Sequence, residues 1–93
     1  MRTIKYTNQF KRDYKHEKRG RHGTTLDNDL LKVVKLLTMD ARLPKKMYDH
    51  YLTGEWKNYR DCHIKPDLVL IYRKADNNIL ELVRLGSHSK LGF

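Results

Sequence analysis

A chain of 93 residues with 39% hydrophobic content holds one domain with one modest core and is too short for two. Its 20 Lys and Arg against 11 Asp and Glu give a net charge of +9, which favours a polyanion or an acidic protein as partner without separating the two. No apolar window approaches a membrane span, the start MRTIKYTNQF has no signal-peptide character, and a lone Cys62 excludes an internal disulfide and a thiolate metal site, so a cytoplasmic protein with no membrane role is expected.

Residues 3–6, TIKY, alternate in polarity and predict a first strand. Thr7 or Asn8 can cap the helix that follows, on which Phe10 and Tyr14 share a face while Lys11, Arg12, Lys15, Lys18 and Arg19 make a flank densely positive. That flank reads equally as a solvated surface and as a landing strip for phosphates or an acidic partner. Gly20 and Gly23 bracket a turn. Thr24 or Thr25 then opens a second helix, with Asp27 placed as in a capping box, and Leu26, Leu30, Val33, Val34 and Leu37 form its apolar stripe, widened by Leu31 and Leu36. This helix stops by about Asp40, ahead of Pro44. Residues 41–57 read as an irregular or partly extended connection, long enough to carry a purpose, and His50 sits in it.

Beyond it, strong strand formers flank the turn Asp76-Asn77-Asn78 and predict an antiparallel pair of about 68–73 with 79–85. A third strand at 58–64 joins it through the Lys65-Pro66 corner. Strict alternation puts Leu80, Leu82 and Arg84 on one side of the last strand and Ile79, Glu81, Val83 and Leu85 on the other. One sheet face must then be covered by helices, leaving the other as a working concavity. The end, RLGSHSKLGF, is too apolar at Leu91 and Phe93 for a frayed tail.

The residues able to carry chemistry are His50, His63, Asp67, Arg84 and His88, with Arg60, Asp61 and Lys65 near them in sequence. Histidine titrates near neutrality and suits proton transfer, while the planar arginine fork pairs with phosphate oxygens. Each also has a plain reading: a histidine as surface or scaffold, Arg84 as the partner of Asp61 or Glu81, and Trp56, Tyr59 and Tyr72 as packing residues. His16 and His22 lie in charged helix-end surroundings. Metal ligation by His50, His63, Asp67 and His88 matches no recognised zinc spacing. These residues alone support a basic binding module as readily as an enzyme.

The run YDHYLTGEWKNYRDCHIKPDLVLIYR followed by LELVRLGSHSKLGF resembles the RelE/ParE superfamily of small bacterial toxins, in its YafQ-like branch of ribosome-dependent mRNA interferases. The resemblance covers nearly all of the chain as one domain, 1–93. It implies an α+β fold of two N-terminal helices packed on a twisted, mainly antiparallel sheet. It implies an antitoxin-neutralised endoribonuclease that enters the 70S ribosome and cuts mRNA in the A site without metal or cofactor. In that branch catalysis is attributed to a set matched here by His50, His63, Asp67, Arg84 and His88, with Phe93 placing the substrate and Arg60 and Lys65 beside the site. Two departures stand out: the family pattern has an aromatic residue where this chain has Leu68 and an acidic one where it has Lys65. The gyrase-directed ParE branch shares the fold and lacks the histidine set.

Overall fold

The computed structural model describes residues 1–92. Its elements follow the order β1 (Thr3–Tyr6), α1 (Asn8–Lys18), α2 (Gly23–Thr38), β2 (His50–Tyr51), β3 (Arg60–Lys65), β4 (Leu68–Lys74), β5 (Ile79–Gly86) and α3 (His88–Leu91). The strands form one sheet in the order β1-β5-β4-β3-β2, antiparallel throughout except that β1 runs parallel to β5. The expected α+β architecture is thus present, with a fifth strand added. The connection 41–57 contains β2, which pairs with β3, and two 3-10 turns at Lys45–Met47 and Gly54–Trp56. A two-residue strand has no periodicity to read, which is why the sequence alone hides it.

The start of α1 follows the expected chemistry: the Thr7 hydroxyl accepts from the Phe10 backbone N–H at 2.9 Å. The start of α2 does not. The helix begins at Gly23, before either threonine, and Asp27 makes no capping box. Instead it accepts from the Tyr14 hydroxyl and from Lys18 Nζ, the latter at 2.8 Å, tying the two helices together and withdrawing Lys18 from the basic flank. The stripe Leu26, Leu30, Val33, Val34 and Leu37 is buried as its spacing requires, but Leu31 is 65% exposed and lies outside it.

Both sheet faces are covered, by different means. Helices α1 and α2 lay Phe10, Leu26, Leu30, Val33 and Leu37 on Leu68, Leu70, Tyr72, Leu80, Leu82 and Leu85. On the opposite face a smaller cluster gathers Val69, Ile71, Val83 and Leu91, flanked by Leu52, Trp56 and Tyr59. Strict alternation along β5 fails at Val83. Ile71 pairs with Arg84 but Tyr72 pairs with Leu82, so Val83 is the extra residue of a bulge. Each side chain beyond it changes face, which returns Leu85 to the helix side with Leu80 and Leu82 and removes Arg84 from their company.

Candidate active site

The site lies on the face away from the helices, and strand register builds it. His50 on β2 sits opposite Asp61 on β3, Asp61 opposite Ile71 on β4, and Ile71 opposite Arg84 on β5, so one row across the sheet holds three functional groups and one apolar spacer. The next row is His63, Val69 and Gly86. Asp61 and His63 point to the same side because they are two apart on a strand.

At Gly86 the chain leaves the sheet and folds back. The Ser87 hydroxyl caps α3 by accepting from the Lys90 N–H at 3.1 Å, and Leu91 packs into the cluster on Val69 and Ile71. This return brings the His88 ring to 4.9 Å from the His63 ring, centre to centre. The glycine serves close approach here, since a Cβ on Gly86 would lie 3.1 Å from Lys90 Cδ. His63 also meets the ring of Tyr48 edge-on at 5.5 Å. Tyr48 is 66% exposed and adopts left-handed backbone angles (φ 48°, ψ 47°) uncommon for a residue with a large side chain. That conformation turns its carbonyl towards His50, whose Nδ1 lies 2.7 Å from it.

Three of the five sequence-nominated residues therefore converge: His50, His63 and His88. The carboxylate among them is Asp61, 2% exposed, with Oδ1 3.1 Å from His50 Nε2. Burial raises its pKa above the usual carboxylate range, opposed by the charges that His50, His63 and His88 can carry. Asp67 is placed elsewhere. At the β3–β4 turn its Oδ1 lies 2.8 Å from His22 Nε2 and its Oδ2 3.5 Å from Arg21, so it is tied to the turn between the helices, and the His22 hydrogen bond holds its pKa low.

Arg84 is tied back as well. From the end of β5 beyond its pairing with β1, its Nε donates to Asp13 Oδ2 at 2.7 Å and its Nη2 to Oδ1 at 3.3 Å. The partner is thus Asp13 on α1, and neither Asp61 nor Glu81. Asp13 is 5% exposed and also accepts from the Leu85 N–H at 3.0 Å. Burial would raise its pKa, but the Arg84 and Leu85 hydrogen bonds outweigh that and hold it below the ordinary value. Arg60 donates from Nε to Asp49 and to the Tyr72 hydroxyl, both at 3.2 Å, and stacks over the Tyr51 ring at 4.2 Å. Lys65 pairs with Asp29 of α2 at 3.1 Å, on the helix side. Phe93 lies outside the described residues. Among the described residues no three His, Cys, Asp or Glu side chains are grouped to hold a metal ion, and no helix is long and apolar enough to cross a membrane.

Two residues of this arrangement had a legible signal. Asp61 precedes His63 by two on a predicted strand, the spacing that puts both on one face, and Asp13 is an acid beside Phe10 and Tyr14 on the apolar side of a basic helix. Tyr48 had none, because its role comes from backbone angles.

A small α+β domain with this strand order and a histidine cluster on the sheet face away from its two long helices has the RelE-like fold of the RelE/ParE toxins. Residues 2–92 match the model of a family described as a bacterial toxin of type II toxin–antitoxin systems, YafQ, and the chain belongs to that family. It is 39% identical over 93 residues to the mRNA interferase toxin YafQ of Escherichia coli K12, covering 98% of this chain and 96% of the relative. A copper-bound mutant toxin from Helicobacter pylori superposes with a TM-score of 0.83 at 33% identity, covering 98% and 99% of the two chains. YafQ in the E. coli DinJ–YafQ complex gives 0.78 at 34% identity, covering 98% of each.

Proposed function

We propose that this toxin is an endoribonuclease that cuts mRNA in the ribosomal A site, held in check by a cognate antitoxin. The observation that carries the reading is the meeting of His63 and His88, 4.9 Å apart, beside the sheet row that runs from His50 through Asp61 to Arg84. Two imidazoles flanking one point can remove a proton on one side and deliver one on the other.

RNA brings its own nucleophile. His50 or His63 takes the proton of the 2′-hydroxyl, the 2′ oxygen attacks phosphorus, and the bond to the 5′ oxygen breaks as His88 protonates it. Arg84 spends two donor contacts on Asp13 and offers its remaining N–H groups to the phosphate oxygens. The products are a 2′,3′-cyclic phosphate, or the 3′-phosphate from its hydrolysis, and a 5′-hydroxyl. Nothing in this sequence of steps requires a metal or other cofactor. Asp67 acts at the site's margin through the helix turn, Arg60 and Phe93 help place the substrate, and Lys65 joins them only on release from Asp29.

A cognate antitoxin is supported by the likeness to YafQ in the DinJ–YafQ complex. The basic surface suits an acidic or amphipathic C-terminal segment of it that folds over this protein and covers the active edge. Primer-extension mapping of mRNA ends in cells expressing the wild type or His88→Ala tests the reading. Discrete new ends bearing 5′-hydroxyls should appear with the wild type and drop about 10²-fold or more in the variant. Equal toxicity of the two without cleaved ends would instead indicate a gyrase-directed or purely binding toxin. Cleavage should also persist in a chelator selective for transition metals while millimolar magnesium keeps the ribosome intact.

A further inference from the structure

We infer that Asp61 is a positioning residue of the site: its carboxylate sets His50 to accept a proton and stabilises the imidazolium that results. The inference rests on the nuclease reading above and adds to it a residue outside the nominated set.

A carboxylate at the position of Asp61 is costly to keep ionised. Asp61 is almost wholly buried, and its Oδ1 has no hydrogen-bond partner among the described residues. An anion so placed is unfavourable unless something nearby carries positive charge for at least part of the time. The candidates surround it: His50 from β2, His63 from its own strand and His88 from α3, with Asp49 ahead of β2 acting in the opposite sense and Ile71 supplying the apolar side from β4.

His50 is the one in contact, and its orientation is fixed from the other side. A carbonyl only accepts, so the 2.7 Å contact with Tyr48 O puts the proton of the neutral ring on Nδ1. Nε2 then carries the lone pair. It stands 3.1 Å from Asp61 Oδ1 with no hydrogen bond between them, as befits two acceptors, and it is the atom left to take up a proton. A proton arriving at Nε2 creates a cation beside a buried anion. The gain falls on the state that forms during the reaction, which is where a catalytic site profits from it.

Asp61→Asn keeps the shape and removes the charge. Single-turnover cleavage of ribosome-bound mRNA by this variant should fall about 10- to 100-fold at pH 7, less than when an imidazole also loses its tautomer, because Tyr48 still fixes that. The acidic limb of its pH–rate profile should move to lower pH, since a base without its counter-ion gives up its proton more readily. Added to His50→Ala, the substitution should cost nothing further. A wild-type rate and profile, or an equal loss in the His50→Ala background, would overturn the inference. A residue needed only for folding would lower the melting temperature and leave the profile in place. If Asp61→Asn does not fold, NMR of the wild type decides: the Asp61 carboxyl carbon and the His50 ring signals should each show the other's titration step, and independent titrations would refute the coupling. Absence of cleavage by the wild type would end the nuclease reading, while the NMR coupling would still test Asp61 by itself.

Discussion

Asp13 and Asp61 are both carboxylates buried against the sheet, and they respond to pH in opposite senses. Asp13 has a folded pKa below its unfolded value, near 3.8, so its contribution is present above that value and lost as pH falls through the lower folded one. Asp61 has a raised folded pKa, so its contribution is present at low pH and lost as pH rises through the raised value. Urea melts should therefore show Asp13→Asn destabilised by about 2 kcal/mol at pH 7, with the difference shrinking as pH falls below the ordinary aspartate value. Asp61→Asn should be no less stable than the wild type at pH 7. Arg84→Ala should likewise melt earlier as well as cleave more slowly, because it leaves the Asp13 carboxylate with only the Leu85 N–H and the more distant Lys90 at 3.7 Å. An Arg84→Ala protein with wild-type stability would contradict the pairing. The histidines were legible because proton transfer draws on few residue types. Asp61 was legible only as a neighbour of His63 two residues on along a predicted strand, and its contact with His50 needs the strand register.

Glycines expose how the elements are joined. Gly23 opens α2 where a Cβ would stand 2.0 Å from the Lys18 carbonyl oxygen, backbone against backbone. Gly23→Ala, which by helix propensity alone gains up to about 1 kcal/mol, should instead destabilise the fold, with a lower melting temperature as the measurement. Gly86→Val should act more narrowly. Its extra methyls press on Lys90 and Leu91, lifting α3 and moving His88 from His63, so cleavage should fall at least about tenfold in a protein that still melts cooperatively. The long elements were legible from periodicity and turn chemistry: β1 matches the expected 3–6, and β4 and β5 each extend one residue past the expected ends. The Val83 bulge, β2 and the early start of α2 were not, since each depends on a partner distant in sequence or on a two-residue contact.

Across the whole molecule the +9 charge is spread over side chains of very different freedom. Lys18, Lys65, Arg73, Lys74, Arg2 and Arg84 are committed to internal carboxylates, whereas Lys11, Arg12, Lys15 and Arg19 of the first helical hairpin are exposed. On the proposed function, binding to 70S ribosomes should weaken linearly with the logarithm of salt concentration. Neutralising Lys11, Arg12 and Lys15 together should reduce that slope while leaving the melting temperature nearly unchanged. The sheet order has its own consequence for how the protein comes into being. β1 emerges from the translating ribosome long before its strand partner β5, and His88 follows β5. Until β5 and His88 emerge, the first strand lacks the partner it has in the fold and the histidine cluster lacks a member. On the proposed function, a chain still short of β5 and α3 is inert, and it becomes able to cut RNA only once those last two elements have closed the site.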